Sequence, residues 1–209
     1  MTILNIAPTK SGLLTLKRQL AVAEEGYDLL EQKRQILVFE LMKRLKRARE
    51  VERLVNQALP AAFAALREAT LDVGAPAMDR AALAASLNHD VTIGAIHLMG
   101  LRLPQVTARI EPPGLPFGVG GTSANTDKAM KRFAGTLLLL PELAELETAI
   151  LRLAAELRRT QRRCNALSKI FIPNYRQTIT FIASTLEERE REAFVIVKMI
   201  RDRLAAEGS

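Results

Sequence analysis

The sequence predicts a mainly α fold: a long antiparallel two-helix coiled coil formed by the N- and C-terminal helices, with a small central insert that contains a β-hairpin and a short helix. Three observations predict it. Apolar residues recur at heptad spacing over both ends of the chain, Gly and Pro concentrate in the middle, and Ala, Leu, Arg and Glu dominate the composition. Each apolar seam is too narrow to be buried alone, and the other seam is its nearest apolar partner. The chain of 209 residues therefore reads as three parts: an N-terminal shaft helix within 1–72, an insert over 73–140 and a C-terminal shaft helix within 141–209.

The first helix is expected from Ser11 to Asp72, with Ser11 as its N-cap because a side-chain hydroxyl can accept from the free N–H groups of a first turn. Its a positions are Leu13, Leu20, Tyr27, Arg34, Leu41, Ala48, Val55 and Ala62. Its d positions are Leu16, Ala23, Leu30, Leu37, Arg44, Val51 and Ala58. Arg34 and Arg44 alone break the seam; they either snorkel their guanidinium groups outward or set the register of the pair. At 1.5 Å per residue, roughly 60 residues make a rod of about 90 Å. Pro60 is expected to kink it or to mark a break near its far end.

The insert predicts a short helix from about Asp79 to Ser86 and then a small hairpin within Val91 to Ile110, where β-branched and apolar residues flank Pro104 and Gln105. The run Glu111-Pro-Pro-Gly-Leu-Pro-Phe-Gly-Val-Gly-Gly follows. It lacks the Gly-Lys-Ser/Thr ending of a phosphate loop and reads as a flexible connector. From Pro141, which suits the first turn of a helix, a second seam runs through Leu143, Leu146, Ile150, Leu153, Leu157, Thr160, Cys164, Leu167 and Phe171. Pro173 predicts a kink, after which the seam resumes at Ile179, Ile182, Leu186, Ala193, Ile196 and Ile200.

Setting Leu13 near Ile200 makes the numbers of opposed positions total about 213. This register brings Lys17 and Arg18 near Glu187, Glu188, Glu190 and Glu192, a complementary match. It also brings the basic run Lys43, Arg44, Lys46, Arg47 and Arg49 near Arg162 and Arg163, with Arg158 and Arg159 a turn away. Like charges at one height do not stabilise a hairpin, so the cluster is read as a contact surface for an acidic partner, against the plainer reading of a solvated basic face.

Little in the chain points to chemistry. Cys164 is its single cysteine, so no internal disulfide can form, and its seam position makes it packing rather than a nucleophile. His89 and His97 are the only histidines, too few with one cysteine for the three or four ligands of a metal site; no cofactor is expected. Absence of Trp and 4% aromatic residues argue against a sugar-binding or base-stacking surface. The net charge of +7 nevertheless leaves a nucleic-acid-binding coiled coil or a scaffold as alternatives. No apolar run approaches about 18 residues, and no secretory signal is read in Met1 to Lys10, so a cytoplasmic location is expected.

Pro8-Thr9-Lys10, Leu13, Leu16, Leu20, Gly26, Leu29-Leu30 and Lys33-Arg34 resemble the N-terminal helix of the D subunit of V-type and archaeal-type rotary ATPases. Met99-Gly100 and Pro104 continue the resemblance, as do Arg162-Arg163-Cys164-Asn165-Ala166-Leu167, Ile172-Pro173, Thr178-Ile179 and Glu188-Arg189-Glu190. The family usually has Val where Cys164 stands and Glu where Ser168 stands. What the resemblance implies is a non-catalytic central rotor shaft that couples ATP turnover to ion transport. The implied partners are the catalytic A and non-catalytic B subunits of a hexamer, the small F subunit, and the funnel-shaped subunit on the proteolipid ring. No direct nucleic-acid contact is implied, and the membrane would be reached only through partners, as a peripheral part of a membrane-bound complex.

Overall fold

The structure is a computed structural model and describes residues 6–84, 89–110 and 122–207. Helix α1 spans Lys10–Val73. Its cap is Thr9 rather than the expected Ser11: the Gly12 N–H donates to Thr9 Oγ1 at 3.1 Å, and the Leu13 N–H bonds the Thr9 carbonyl at 2.9 Å. Pro60 neither ends nor interrupts α1. The carbonyl it deprives of a donor belongs to Asn56, and Asn56 and Pro60 both lie on an exposed face, where water can replace the missing bond. Gly74, at φ +81°, then stops the helix in the left-handed conformation that glycine adopts without strain. Helix α2 starts at once and spans Ala75–Ala84. The expected short helix thus begins earlier, and its expected end at Ser86 lies outside the described residues, as does the Gly/Pro run from Glu111.

The hairpin is present. Strands β1 (His89–Leu98) and β2 (Leu101–Ile110) pair antiparallel in the register Leu98↔Leu101, Ile96↔Leu103, Ala95↔Pro104. Met99 (φ 49°) and Gly100 (φ 80°) make the two-residue turn, both in the positive-φ region that matches strand twist. Hydrogen-bonded and non-bonded pairs alternate away from that turn, so Pro104 falls on a pair whose N–H groups point outward, and its missing donor costs the ladder nothing.

Helix α3 (Ala124–Leu137) is one the sequence reading does not place. It starts where the Ser123 N–H bonds Thr126 Oγ1 at 3.3 Å. Side chains tie it to the end of α1: Asn125 to Asp72 at 2.7 Å, Lys128 to Glu68 at 3.2 Å, and Arg132 to the Ala61 carbonyl at 2.9 Å. Phe63 and Phe133 add an edge-to-face pair with ring centres 5.3 Å apart.

The C-terminal helix comes in two pieces, α4 (Leu140–Ala166) and α5 (Ile172–Glu207), joined by one widened π turn at Leu167–Phe171. In it the Ile172 N–H reaches back five residues to the Leu167 carbonyl. The irregularity expected at Pro173 therefore lies just ahead of it, because the proline lacks the donor that would close the preceding α turn. The extra residue rotates the seam: expected Phe171 is exposed, and Ile172 is buried instead.

By its contacts the chain forms two compact units, Met1–Ile36 with Arg158–Ser209, and Leu37–Leu157. In the first, the helix pair is antiparallel, with Leu16, Thr160, Cys164, Ile172, Thr178 and Ile182 buried along the seam. Lys10 pairs with Glu190 at 2.7 Å and Glu24 with Arg176 at 2.6 Å, so opposed positions total 200, not the expected 213. In the second, Leu37, Leu103, Ala149 and Leu153 form one fully buried cluster, and Ala48, Val51, Val55 and Leu146 form another. Leu103 brings β2 into the first of these. The outer edge of β2 is stitched to α4, the Val106 N–H bonding Glu145 at 2.7 Å and Arg152 donating to the Arg102 carbonyl at 2.7 Å.

Candidate partner-contact surface

The eight basic residues expected to meet partners fall into the two units, and each group has its own surroundings. In the second unit, Lys43 and Lys46 are exposed on α1. Arg44 is half-buried, its Nε 3.8 Å from Glu40, and that Nε atom is buried without a hydrogen bond. Arg47 is held at 2.6 Å by Glu142 of α4 and at 3.4 Å by Glu50. The bond from Glu142 is the main reason its guanidinium holds its proton more tightly than usual. α4 thus meets the Lys43–Arg49 run with a carboxylate. The expected register, which set this run beside Arg162 and Arg163, is not the one found in the first unit.

In the first unit, Arg158, Arg159, Arg162 and Arg163 are all exposed along α4. Spacings of one, three and four residues spread them over neighbouring faces of one turn and a half, a broad cationic surface. Cys164, next to Arg163, is buried on the seam, and burial, then the nearby Glu31 carboxylate, pushes its thiol up and away from reactivity. Arg34, the other seam arginine, turns back onto Glu31, and Arg44 similarly onto Glu40, so each finds a carboxylate one turn earlier on α1. Arg34 is raised above its ordinary value first by its hydrogen bond to Glu31.

Among the described residues, no group of three or more His, Cys, Asp and Glu side chains could hold a metal ion. No helix is long and apolar enough to cross a membrane. His97 is exposed on β1. What sequence reasoning missed are the large apolar residues around the basic run: Phe39 and Met42 are 69% and 59% exposed. Their signal was available, since both lie at heptad positions opposite the seam, where an apolar side chain has no use inside a two-helix pair.

The comparison with known families decides the lineage. The family of ATP synthase D subunits matches residues 12–202, which takes in both seam helices and the hairpin. The chain belongs to the ATP synthase D-subunit family. Similar relatives include the second V-type ATP synthase D subunit of Treponema pallidum, 38% identical over 198 residues that cover 95% of each chain. The A-type ATP synthase D subunit of Methanosphaera stadtmanae is 37% identical over 199 residues, covering 94% of this chain and 93% of the relative. The V-type ATP synthase D subunit of Thermotoga neapolitana is 32% identical over 202 residues, 97% of this chain and all of the relative.

Proposed function

We propose that this chain is the central-stalk rotor subunit of a V-type or A-type rotary ATPase, itself non-catalytic, which transmits torque between the catalytic hexamer and the membrane ring and so couples ATP turnover to ion transport. The observation that carries the reading is the family match across residues 12–202, supported by relatives that align with it end to end. A shaft must resist torsion, and antiparallel helices packed through buried seam residues such as Leu16, Thr178 and Ile182, or Leu37 and Leu153, supply that resistance along their contact.

The partners in this reading are the A and B subunits of the hexamer, the small F subunit and the funnel-shaped subunit on the proteolipid ring. The chain would work on the cytoplasmic side, peripheral to the membrane. Lys43, Arg44, Lys46 and Arg47, with Arg158, Arg159, Arg162 and Arg163, are its contact residues. The arginines of α4 are all exposed, whereas Arg44 of α1 is half-buried.

The test is co-purification of the tagged chain from its own cells, followed by an ATPase assay. Recovery of a hexamer-forming ATPase pair and a small third protein, with turnover that depends on this chain, is the expected result. Recovery of nucleic acid or unrelated proteins without ATPase activity refutes it. Reversal of Arg159, Arg162 and Arg163 to Glu is expected to weaken hexamer binding or stall turnover; coupling that survives the reversal would remove these arginines from the contact.

A further inference from the structure

The outward face of α1 in the second unit carries a stripe that internal packing does not use. Phe39, Met42, Lys46, Arg49 and Arg53 follow at alternating steps of three and four residues, so they stand one above another on the helix side away from the seam. All are exposed. Met42, Leu45, Lys46, Arg49, Glu50 and Arg53 line a shallow depression there, the Glu50 carboxylate being shared with Arg47 at 3.4 Å. Among the described residues no ion pair holds Lys46, Arg49 or Arg53, whereas neighbouring Arg44 and Arg47 are engaged by Glu40, Glu142 and Glu50.

We propose that this stripe docks an acidic amphipathic segment of a partner protein, with apolar side chains over Phe39 and Met42 and carboxylates over Lys46, Arg49 and Arg53. The inference deepens the rotary reading and rests on it for the complex in which the partner is sought. The order of residues selects the occupant. A membrane-surface helix flanks its apolar face with cations that stay at headgroup level; here the cations lie in line with the apolar residues and would be dragged into the lipid. A nucleic-acid strand presents phosphate at every level and would leave Phe39 and Met42 against a charged backbone. A second copy meeting stripe to stripe would set Lys46, Arg49 and Arg53 against the same three cations, with only Glu50, already shared with Arg47, to offset them. A protein segment that is apolar at one end and acidic at the other satisfies both ends, since apolar contact and charge complementarity then act in register.

The experiment uses the full chain, free and in the complex recovered with it from its own cells. Hydroxyl-radical labelling of Phe39 and Met42 is expected to fall severalfold on assembly. A carbodiimide, which joins an amine to a contacting carboxylate, is expected to link Lys46 to Asp or Glu of one partner polypeptide. Lys46→Arg should lose the cross-link and keep the protection. The triple variant K46E/R49E/R53E should lose both without a shift in melting temperature, because all three side chains are exposed; should that variant fail to fold, the wild-type labelling and cross-link decide alone. Equal labelling in the free and assembled chain overturns the proposal. So does protection that nuclease or detergent abolishes, or a Lys46 cross-link to a second copy in an isotope-mixed sample. Recovery of the ATPase partners with the stripe still open sinks this inference and leaves the rotary reading standing. A cross-link to a carboxylate of a protein outside any ATPase does the reverse.

Discussion

Gly12 and Gly26 both lie in the N-terminal part of α1, and their surroundings assign them opposite roles. A Cβ at Gly12 would stand 3.0 Å from Thr9 Oγ1 and 3.2 Å from the Ala7 carbonyl, so the chain ahead of the helix folds closely over that position. A Cβ at Gly26 would meet nothing within 4 Å. Gly26 therefore carries the backbone-entropy cost of glycine in a helix with no packing return inside the chain. Gly26→Ala is expected to stabilise the isolated protein by about 0.5–1 kcal/mol, seen as a rise of roughly 1–4 °C in melting temperature. A fall instead would mean that a backbone approaches there. The seam arginines show how far a single residue is legible. Their break in the apolar pattern is plain in the sequence, but the turn of Arg34 toward Glu31 and of Arg44 toward Glu40 depends on rotamers chosen by the packed helix beside them.

At the scale of elements, the hairpin is held by the buried Leu103, by Leu98 and Leu101 packed against the same cluster, and by two edge bonds. Leu103 is fully buried with Leu37, Ala149 and Leu153, while Glu145 and Arg152 of α4 satisfy outward groups of β2. Leu103→Ala is expected to cost about 2–5 kcal/mol in urea unfolding, the range for a cavity among well-packed neighbours. A loss under about 1 kcal/mol would mean the hairpin is anchored elsewhere. The helix pair of the first unit carries a pH signature at Lys10 and Glu190. Their bond holds the Glu190 carboxyl below its ordinary 4.5 and lifts Lys10 above its ordinary 10.5. The lowered carboxyl contributes stability above its ordinary value that is lost as pH falls through the folded one. The raised amine contributes below its ordinary value and loses that contribution as pH rises through the folded one. Both groups are solvent-exposed, so the effect is small and screened by salt. Glu190→Gln should lower the unfolding midpoint slightly at neutral pH and low salt, and the difference should vanish in acid and in concentrated salt. A difference that persists in either would belong to another interaction.

For the molecule as a whole, the apolar surface left open says more than the surface buried. Beyond Glu190, opposite Lys10 at the start of α1, every described side chain of helix α5 is exposed: Phe194, Val195, Ile196, Val197, Met199 and Ile200 are all more than half exposed. The seam positions Ala193, Ile196 and Ile200, expected to pack, are exposed because the pair is shifted and α1 begins too late to reach them. Deletion of residues 193–209 is accordingly expected to move the melting temperature of the isolated chain by no more than about 2 °C, the scale of a surface change. A larger drop would show that this segment packs on the rest of the chain.

The periodic features were readable in advance because they are local. A heptad of Leu, Ala and Val needs only its own spacing to declare a seam, and Leu16, Leu37, Val51, Val55, Leu146 and Leu153 are buried as that spacing requires. The β-branched run within Val91 to Ile110 likewise declared a hairpin, though its turn at Met99 and Gly100 came only from the structure. Register was not readable. A seam that repeats every heptad looks alike to its partner after a slide of seven residues, and the observed pairing differs from the expected one by nearly two such steps. Only contacts made once along the chain, Lys10 with Glu190 and Glu24 with Arg176, distinguish one register from the next. The contact surface follows the same division: sequence marked which residues are cations, and the folded chain decided which of them, such as Arg47 against Glu142, are spent at home.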